Sequence, residues 1–365
     1  MVGRYLATGS LLAALAVGCT AAGSDSVEAT TSTTQSPVTT LATLTTTTTL
    51  PPQATTTAQV STTTSVPPEP QRTRLVVNGT GDINLDPLFV RTFPSTGYED
   101  AWTGLFDVLL DDDLTVVNLE CSPSELGEPW VKTWNFRCDT EALPSMAAAG
   151  VDVANLANNH SMDFGMEAML DGMNNLRVVG IQPVGTGRNR AEAYAPALFT
   201  VNGWRVAVIG SGGVNPETGS WIASDDSPGM TSGDDTESIA EAIRLAKQTA
   251  DIVLVTAHWG KNDETSVMSF ERRQAEAWIE AGADGIFAHH QHRLLPLEWI
   301  DGKPVAFGLG NFVWQAYPAE AKRTAIAQFV FEPDGRIGAC LIPVVIERTG
   351  HPVVQEPGAP VCAPN

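Results

Sequence analysis

The 365-residue chain carries 42 Asp and Glu against 21 Lys and Arg, a formal net charge of -21, with 43% apolar and 17% charged residues. Such a balance argues against a nucleic-acid-binding protein, whose affinity for phosphate backbones needs clustered Lys and Arg. The length allows two domains or one large one.

In chain order, residues 1–18 hold one basic residue, Arg4, and a run of Leu, Ala and Val from Leu11 to Val17. That run is too short to span a bilayer and has the layout of a secretory signal. Ala16-Val17-Gly18-Cys19 resembles a bacterial lipobox, so Cys19 is expected to carry lipid and tether the protein to the outer face of the cell membrane. An ordinary signal peptide with an incidental Cys is the alternative. Residues 19–71 are expected to be a linker, because positions 20–70 hold 19 Thr and six Pro, no aromatic residue, and only Asp25, Glu28 and Glu69 as charges. A stretch of that composition buries too little apolar surface to offset its conformational entropy. The foldable part is then a domain over 72–350 with a tail over 351–365.

Export places the remaining cysteines in an oxidising compartment, where an even number reads as disulfides. Cys121, Cys138, Cys340 and Cys362 allow three connectivities. The local one, Cys121 with Cys138 and Cys340 with Cys362, closes two short loops worth roughly 3 kcal/mol each in the chain-entropy model.

Within the domain, short apolar runs end abruptly in polar clusters. They are Leu75-Val76-Val77 before Gly81-Asp82, Leu114 to Val117 before Asn118-Leu119-Glu120, and Val151 to Leu156 before Asn158-Asn159-His160. Ile252 to Thr256 precede His258, Gly285 to Ala288 precede His289, His290 and His292, and Val305 to Leu309 precede Gly310-Asn311. Continuous apolar runs of this length suit strands buried on both faces. Helical periodicity lies between them: Met166, Met169, Met173 and Leu176 share one face, as do Ile239, Ile243 and Ala246. Gly150 and Gly282 stand where helix caps belong. The alternation predicts an α/β fold, with the polar tips on one rim of one sheet, beyond the carboxyl ends of its strands.

Asp, Glu, Asn and several imidazoles together suit Zn, Mn or Fe, whereas Ca and Mg prefer oxygen alone. Two such ions about 3.5 to 4 Å apart would activate water against an ester or phosphoester. Satisfied structural histidines are the competing reading of His258, His290 and His292, and a turn-capping role that of Asp82. Either Asn118 or Glu120, two apart on a strand, could face the site. His289 is not expected to be a ligand, because it is adjacent to His290 and should point the other way if the strand continues through it. Trp130 and Trp134, inside the Cys121–Cys138 loop, could wall a substrate or simply pack. Asn311 could contact substrate or hold a turn. Residues 211–235, rich in Gly, Ser and Asp, could form a lid or a mobile excursion. Pro333-Asp334-Gly335 between two β-rich runs predicts a hairpin edging a second sheet.

These segments, from Gly81-Asp82 through Asn118-Leu119-Glu120, Leu156-Ala157-Asn158-Asn159-His160 with Asp163 and Gly165, His258-Trp259-Gly260 and His290-Gln291-His292 to Gly308-Leu309-Gly310-Asn311-Phe312, resemble the CapA family of bacterial capsule-synthesis proteins, associated with poly-gamma-glutamate. That family is similar to a branch of the calcineurin-like metallophosphoesterases. The resemblance implies a four-layer αββα sandwich with a C-terminal β-hairpin. It implies metal ligands at Asp82, Asn159, His258, His290 and His292, with Glu120 or Asn118 at the bridging position and His160 as general acid, which Asp163 could orient. The first loop departs from the metallophosphoesterase pattern in offering Asn84 instead of His. Two functions fit: a membrane-anchored, metal-dependent hydrolase or transferase acting on an anionic capsule or wall polymer or a phosphoester, or a non-catalytic polymer-binding component of an export and anchoring complex. Poly-gamma-glutamate and capsule synthesis or export membrane proteins are the expected partners.

Overall fold

The computed structural model describes residues 71–212, 219–359 and 361–364. The expected signal, Cys19 and nearly all of the linker lie outside the described residues. Among those described, no helix is long and apolar enough to cross a membrane.

Sixteen strands follow in order among the described residues: β1 (Leu75–Ile83), β2 (Leu114–Leu119), β3 (Val153–Asn155), β4 (Gln182–Val184), β5 (Thr186–Gly187), β6 (Ala197–Val201), β7 (Trp204–Gly212), β8 (Gly229–Met230), β9 (Ile252–His258), β10 (Gly285–His289), β11 (Leu297–Ile300), β12 (Lys303–Ala306), β13 (Asn311–Val313), β14 (Arg323–Phe331), β15 (Ile337–Arg348) and β16 (His351–Val354). An eight-stranded sheet has the order β16-β15-β14-β1-β2-β3-β4, with β13 also paired to β1, and a six-stranded sheet has the order β11-β12-β10-β9-β7-β6. A small third sheet joins β5 to β8.

Strand alternation explains why each run is apolar throughout. Leu254 of β9 points into a layer shared with Leu75, Val77, Val116, Val153 and Phe329 of the eight-stranded sheet, whereas Val253 and Val255 point outward, under the helices. The outer face of the six-stranded sheet is covered by the helix Thr236–Ala246, through Ile239 and Ile243, and by the helix Ser269–Ala281, through Trp278 and Ile279. The outer face of the eight-stranded sheet is covered by the helices Leu143–Ala148 and Gly165–Val178, through Met146, Met173 and Leu176. The layers are therefore helix, sheet, sheet, helix. Between the sheets Phe287 stacks on Phe329 with ring centroids 4.3 Å apart, a contact whose truncation to Ala costs about 3–5 kcal/mol in such cores. Met166, expected on the buried face of its helix, stands in the first turn and is 42% exposed, while Met169, Met173 and Leu176 are buried.

Three expectations are corrected by this arrangement. The polar tips come from two sheets, not one: β1, β2, β3 and β13 belong to the larger, β9 and β10 to the smaller. The predicted hairpin is β14–β15, but β14 lies inside the eight-stranded sheet against β1, and the edge is β16. Residues 351–364, read as a tail, contribute β16 and Cys362, which is bonded to Cys340. Their apolar residues Val354 and Cys362 are buried. The second disulfide joins Cys121 to Cys138, so the local connectivity is the one formed.

Within 211–235, Trp221, Ala223, Met230 and Thr231 are buried and tie the segment to the domain. Trp221 and Met230 pack on Ala157, Met162 and Met169, apolar anchors placed too irregularly to show periodicity.

Candidate metal centre

The register of both sheets carries the polar residues to one edge. In the larger sheet Asp82 lies opposite Asn118 and Asn311, and Asn118 opposite Asn155. In the smaller, Gly212 lies opposite His258, and His258 opposite His289. Close packing of Gly212 on the Asn-Asn-His segment brings the two edges together: a Cβ at Gly212 would stand 1.5 Å from the carbonyl oxygen of Ala157.

Asp82, Glu120, His258 and His290 are buried, and His292 is slightly open to solvent. One ligand atom each from Glu120, His258 and His290 lies within 4.8 Å of the others, and the same holds for Asp82, Glu120 and His292. Glu120 is common to both groups. Its Oε1 is 3.7 Å from His258 Nε2 and 3.9 Å from His292 Nε2, while Asp82 Oδ2 is 3.1 Å from His292 Nδ1. Asn159 joins the first group, with Oδ1 2.7 Å from His258 Nε2. Asp82 Oδ2, Glu120 Oε1 and the Nδ1 atoms of His290 and His292 are buried without a hydrogen-bond partner. Leaving such atoms unmatched costs about 1–3 kcal/mol each, and divalent cations would satisfy them. The donor set of carboxylates, imidazoles and a carboxamide fits that role.

Protonation supports it. Burial and then the Asp82 carboxylate push the pKa of Glu120 well above the usual carboxylate range. Burial would raise Asp82 as well, but the His292 and His289 rings beside it and the Asn118 hydrogen bond outweigh it and hold it below the ordinary value. Burial drives His258 well below the ordinary imidazole value, His290 down to about 3 and His289 down to about 4. At neutral pH these rings are uncharged, the form that binds metal.

Asn118 has a different role from the one expected. Its Nδ2 donates to Asp82 Oδ1 at 2.9 Å and to Glu120 Oε2 at 3.4 Å, and its Oδ1 accepts from Asn158 and Asn155. A carboxamide facing two carboxylates must turn its nitrogen to them, so Asn118 spaces the pair and offers no oxygen to a cation. Asn84 likewise holds its own loop, accepting from the Asp86 N–H at 2.9 Å. Asn311 donates to the Ala321 carbonyl at 3.3 Å and leaves a buried Oδ1 unmatched.

His289 was expected to point away from the site if the strand continued through it. Its Nδ1 is instead 3.6 Å from Asp82 Oδ1, although it belongs to neither ligand group. Alternation fails because the strand ends there: His290 and His292 have φ of 96° and 53°, left-handed conformations that cost about 1–3 kcal/mol each. Gln291 holds this bend by donating to Glu271 Oε1 at 2.9 Å and to the Phe307 carbonyl at 3.2 Å. Trp314 lies against the His292 ring, with centroids 4.8 Å apart, a contact that no motif in the sequence marks.

Beside the ligand groups, His160 Nδ1 lies 2.7 Å from Asp163 Oδ2, the orientation expected. Burial lowers the pKa of His160, with Asp163 opposing. Of the stapled-loop aromatics, Trp130 packs edge-on against Trp221 at 5.7 Å, and Trp134 is 62% exposed.

Fold and site together define a two-sheet α/β sandwich with a carboxylate and imidazole centre at the shared carboxyl edge. Residues 76–316 match the family model described as bacterial capsule synthesis protein PGA_cap, and the chain belongs to that family. Over 227 residues it is 30% identical to the PGA biosynthesis protein CapA of Bacillus subtilis, covering 62% of this chain and 59% of the relative. It is 29% identical over 220 residues to the capsule biosynthesis protein CapA of Bacillus anthracis, covering 60% of this chain and 53% of the relative. The chain thus spans a little over half the length of these curated relatives. A Staphylococcus aureus structure with a provisional 5'-nucleotidase name aligns over 77% of this chain and 54% of its own, at 14% identity and a TM-score of 0.49, too distant a likeness to carry an argument.

Proposed function

We propose that this protein serves capsule or polyglutamate synthesis as a metal-dependent hydrolase or transferase of the metallophosphoesterase type, acting on an anionic cell-surface polymer or a phosphoester. The observation that carries this reading is the pair of buried ligand groups sharing Glu120. Asp82, Glu120 and His292 would hold one divalent ion, and Glu120, Asn159, His258 and His290 a second, of the Zn, Mn or Fe type. Such ions supply Lewis acidity toward a phosphoryl or carbonyl oxygen. His160 handles the proton. Donating from Nδ1 to Asp163, the neutral ring keeps Nε2 as an acceptor that can take a proton from the attacking water and pass it to the leaving oxygen. The relatives' names support polyglutamate as the polymer. The lipobox-like segment at Cys19 and the two disulfides support export and anchoring at the outer face of the cell membrane.

Metal analysis of the purified protein, with turnover of phosphodiesters and gamma-glutamyl polymers by wild type and His290→Ala, tests this. Bound divalent metal and turnover, both lost in the variant, are expected. Polymer binding without turnover in the metal-loaded wild type would instead select the non-catalytic role.

A further inference from the structure

The loop closed by Cys121 and Cys138 contains a single Lys, Lys132, which it delivers to the flank of the centre. The Lys132 side chain is 10% exposed, and its Nζ lies 2.6 Å from Asp163 Oδ1, 2.5 Å from the Asn159 carbonyl oxygen and 3.4 Å from His160 Nδ1. The Nζ also stands 5.3 Å from the centre of the Trp221 ring. An ammonium offers three donors and no acceptor. Here one of them goes to the Asn159 carbonyl, and the charge stands against Asp163 Oδ1 as an ion pair. The approach to His160 Nδ1 is proximity rather than donation, since that nitrogen gives its own proton to Asp163.

The carboxylate of Asp163 is thereby divided. Oδ1 takes the ammonium, and Oδ2 takes His160 Nδ1 at 2.7 Å and the Phe136 N–H at 2.6 Å. Phe136, from the same loop, lies against the imidazole with centroids 4.3 Å apart. Without the ammonium, Asp163 would be a buried anion with one oxygen uncompensated and free to turn, and the Asn159 carbonyl would lose its tie. Breaking one side of a buried ion pair is strongly destabilising for the group left behind.

We infer that Lys132 is a positioning residue: by clamping Asp163 to the Asn159 carbonyl, it fixes the imidazole that handles the proton relative to the Asn159 side chain in the ligand group. It acts through its neighbours, since its charge faces the protein. The consequence for turnover rests on the function proposed above; the geometric role does not.

The test uses the full protein as wild type, Lys132→Met and Lys132→Arg, with Lys132→Gln as a second neutral variant should Met fail to fold. Proton NMR of histidine-labelled protein is expected to show a sharp, exchange-protected low-field Nδ1–H line from His160 in wild type. That line should be lost to exchange in the neutral variant and retained with Arg. On a phosphodiester, kcat should fall about 10–100-fold in the neutral variant, the usual cost of losing such a supporting contact, with KM and bound metal unchanged and Arg recovering most of the rate. A His160 line unaltered in the neutral variant would overturn the inference, as would loss of metal with the rate per bound ion intact. If wild type turns over neither a phosphodiester nor a gamma-glutamyl polymer, the functional reading fails while the NMR comparison still decides the role of Lys132.

Discussion

Replacing Glu120 by Gln should change stability in opposite directions with and without metal. In the metal-free protein Glu120 shares a buried site with Asp82, and burial and that neighbouring charge raise its pKa well above the ordinary value. A carboxyl whose folded pKa is raised contributes stability in full below its unfolded pKa of about 4.3 and loses it as pH rises toward the folded value. Over that window the metal-free wild type should lose up to about 1.4 kcal/mol per pH unit from this group. Glu120→Gln, which cannot ionise and keeps the acceptor for Asn118, should lose none of it. Divalent metal reverses the comparison: at a hundred times the dissociation constant a single ion stabilises by about 2.7 kcal/mol, and Glu120 belongs to both ligand groups. For a domain of this size that is a rise in Tm of roughly 4–5 °C in wild type and little in the variant. Denaturant titrations at pH 5, 6 and 7, with chelator and then with Mn or Zn, measure both effects. A variant stabilised by metal as much as wild type, or metal-free curves that stay parallel across pH, would refute the reasoning.

Asp112, half-buried near the start of β2, is pushed up to about 8 by burial, with the Thr115 hydroxyl opposing and the charges of Asp152 and Asp113 adding to it. Its sign matches that of Glu120, so stability should fall between about pH 4 and pH 8 with a slope of up to about 1.4 kcal/mol per unit, and Asp112→Asn should flatten that slope in the same denaturant titrations. Gly212→Ala would drive a Cβ into the Ala157 carbonyl, so we expect a loss of more than about 2 kcal/mol of stability together with reduced metal affinity, read by thermal melts and metal titration.

The α/β class, the apolar strands, the disulfide partners and the identity of the polar strand tips were all legible in the sequence, because each rests on local chemistry. An apolar run bounded by Asn, Asp or His marks a strand end wherever the strand lies, and Gly150 and Gly282, at φ of 101° and 115°, cap helices as their spacing implied. Tertiary structure alone decided which sheet each tip belongs to, that Asn118 turns its nitrogen toward Asp82 and Glu120, and that His289 reaches Asp82 across the bend at His290. It also decided that Lys132 enters from a loop whose sequence marks it as surface. These outcomes depend on the register between strands distant in the chain and on a carboxyl edge that exists only when two sheets pack face to face. A side chain's neighbours along the chain carry no information about the charge it will meet across that edge.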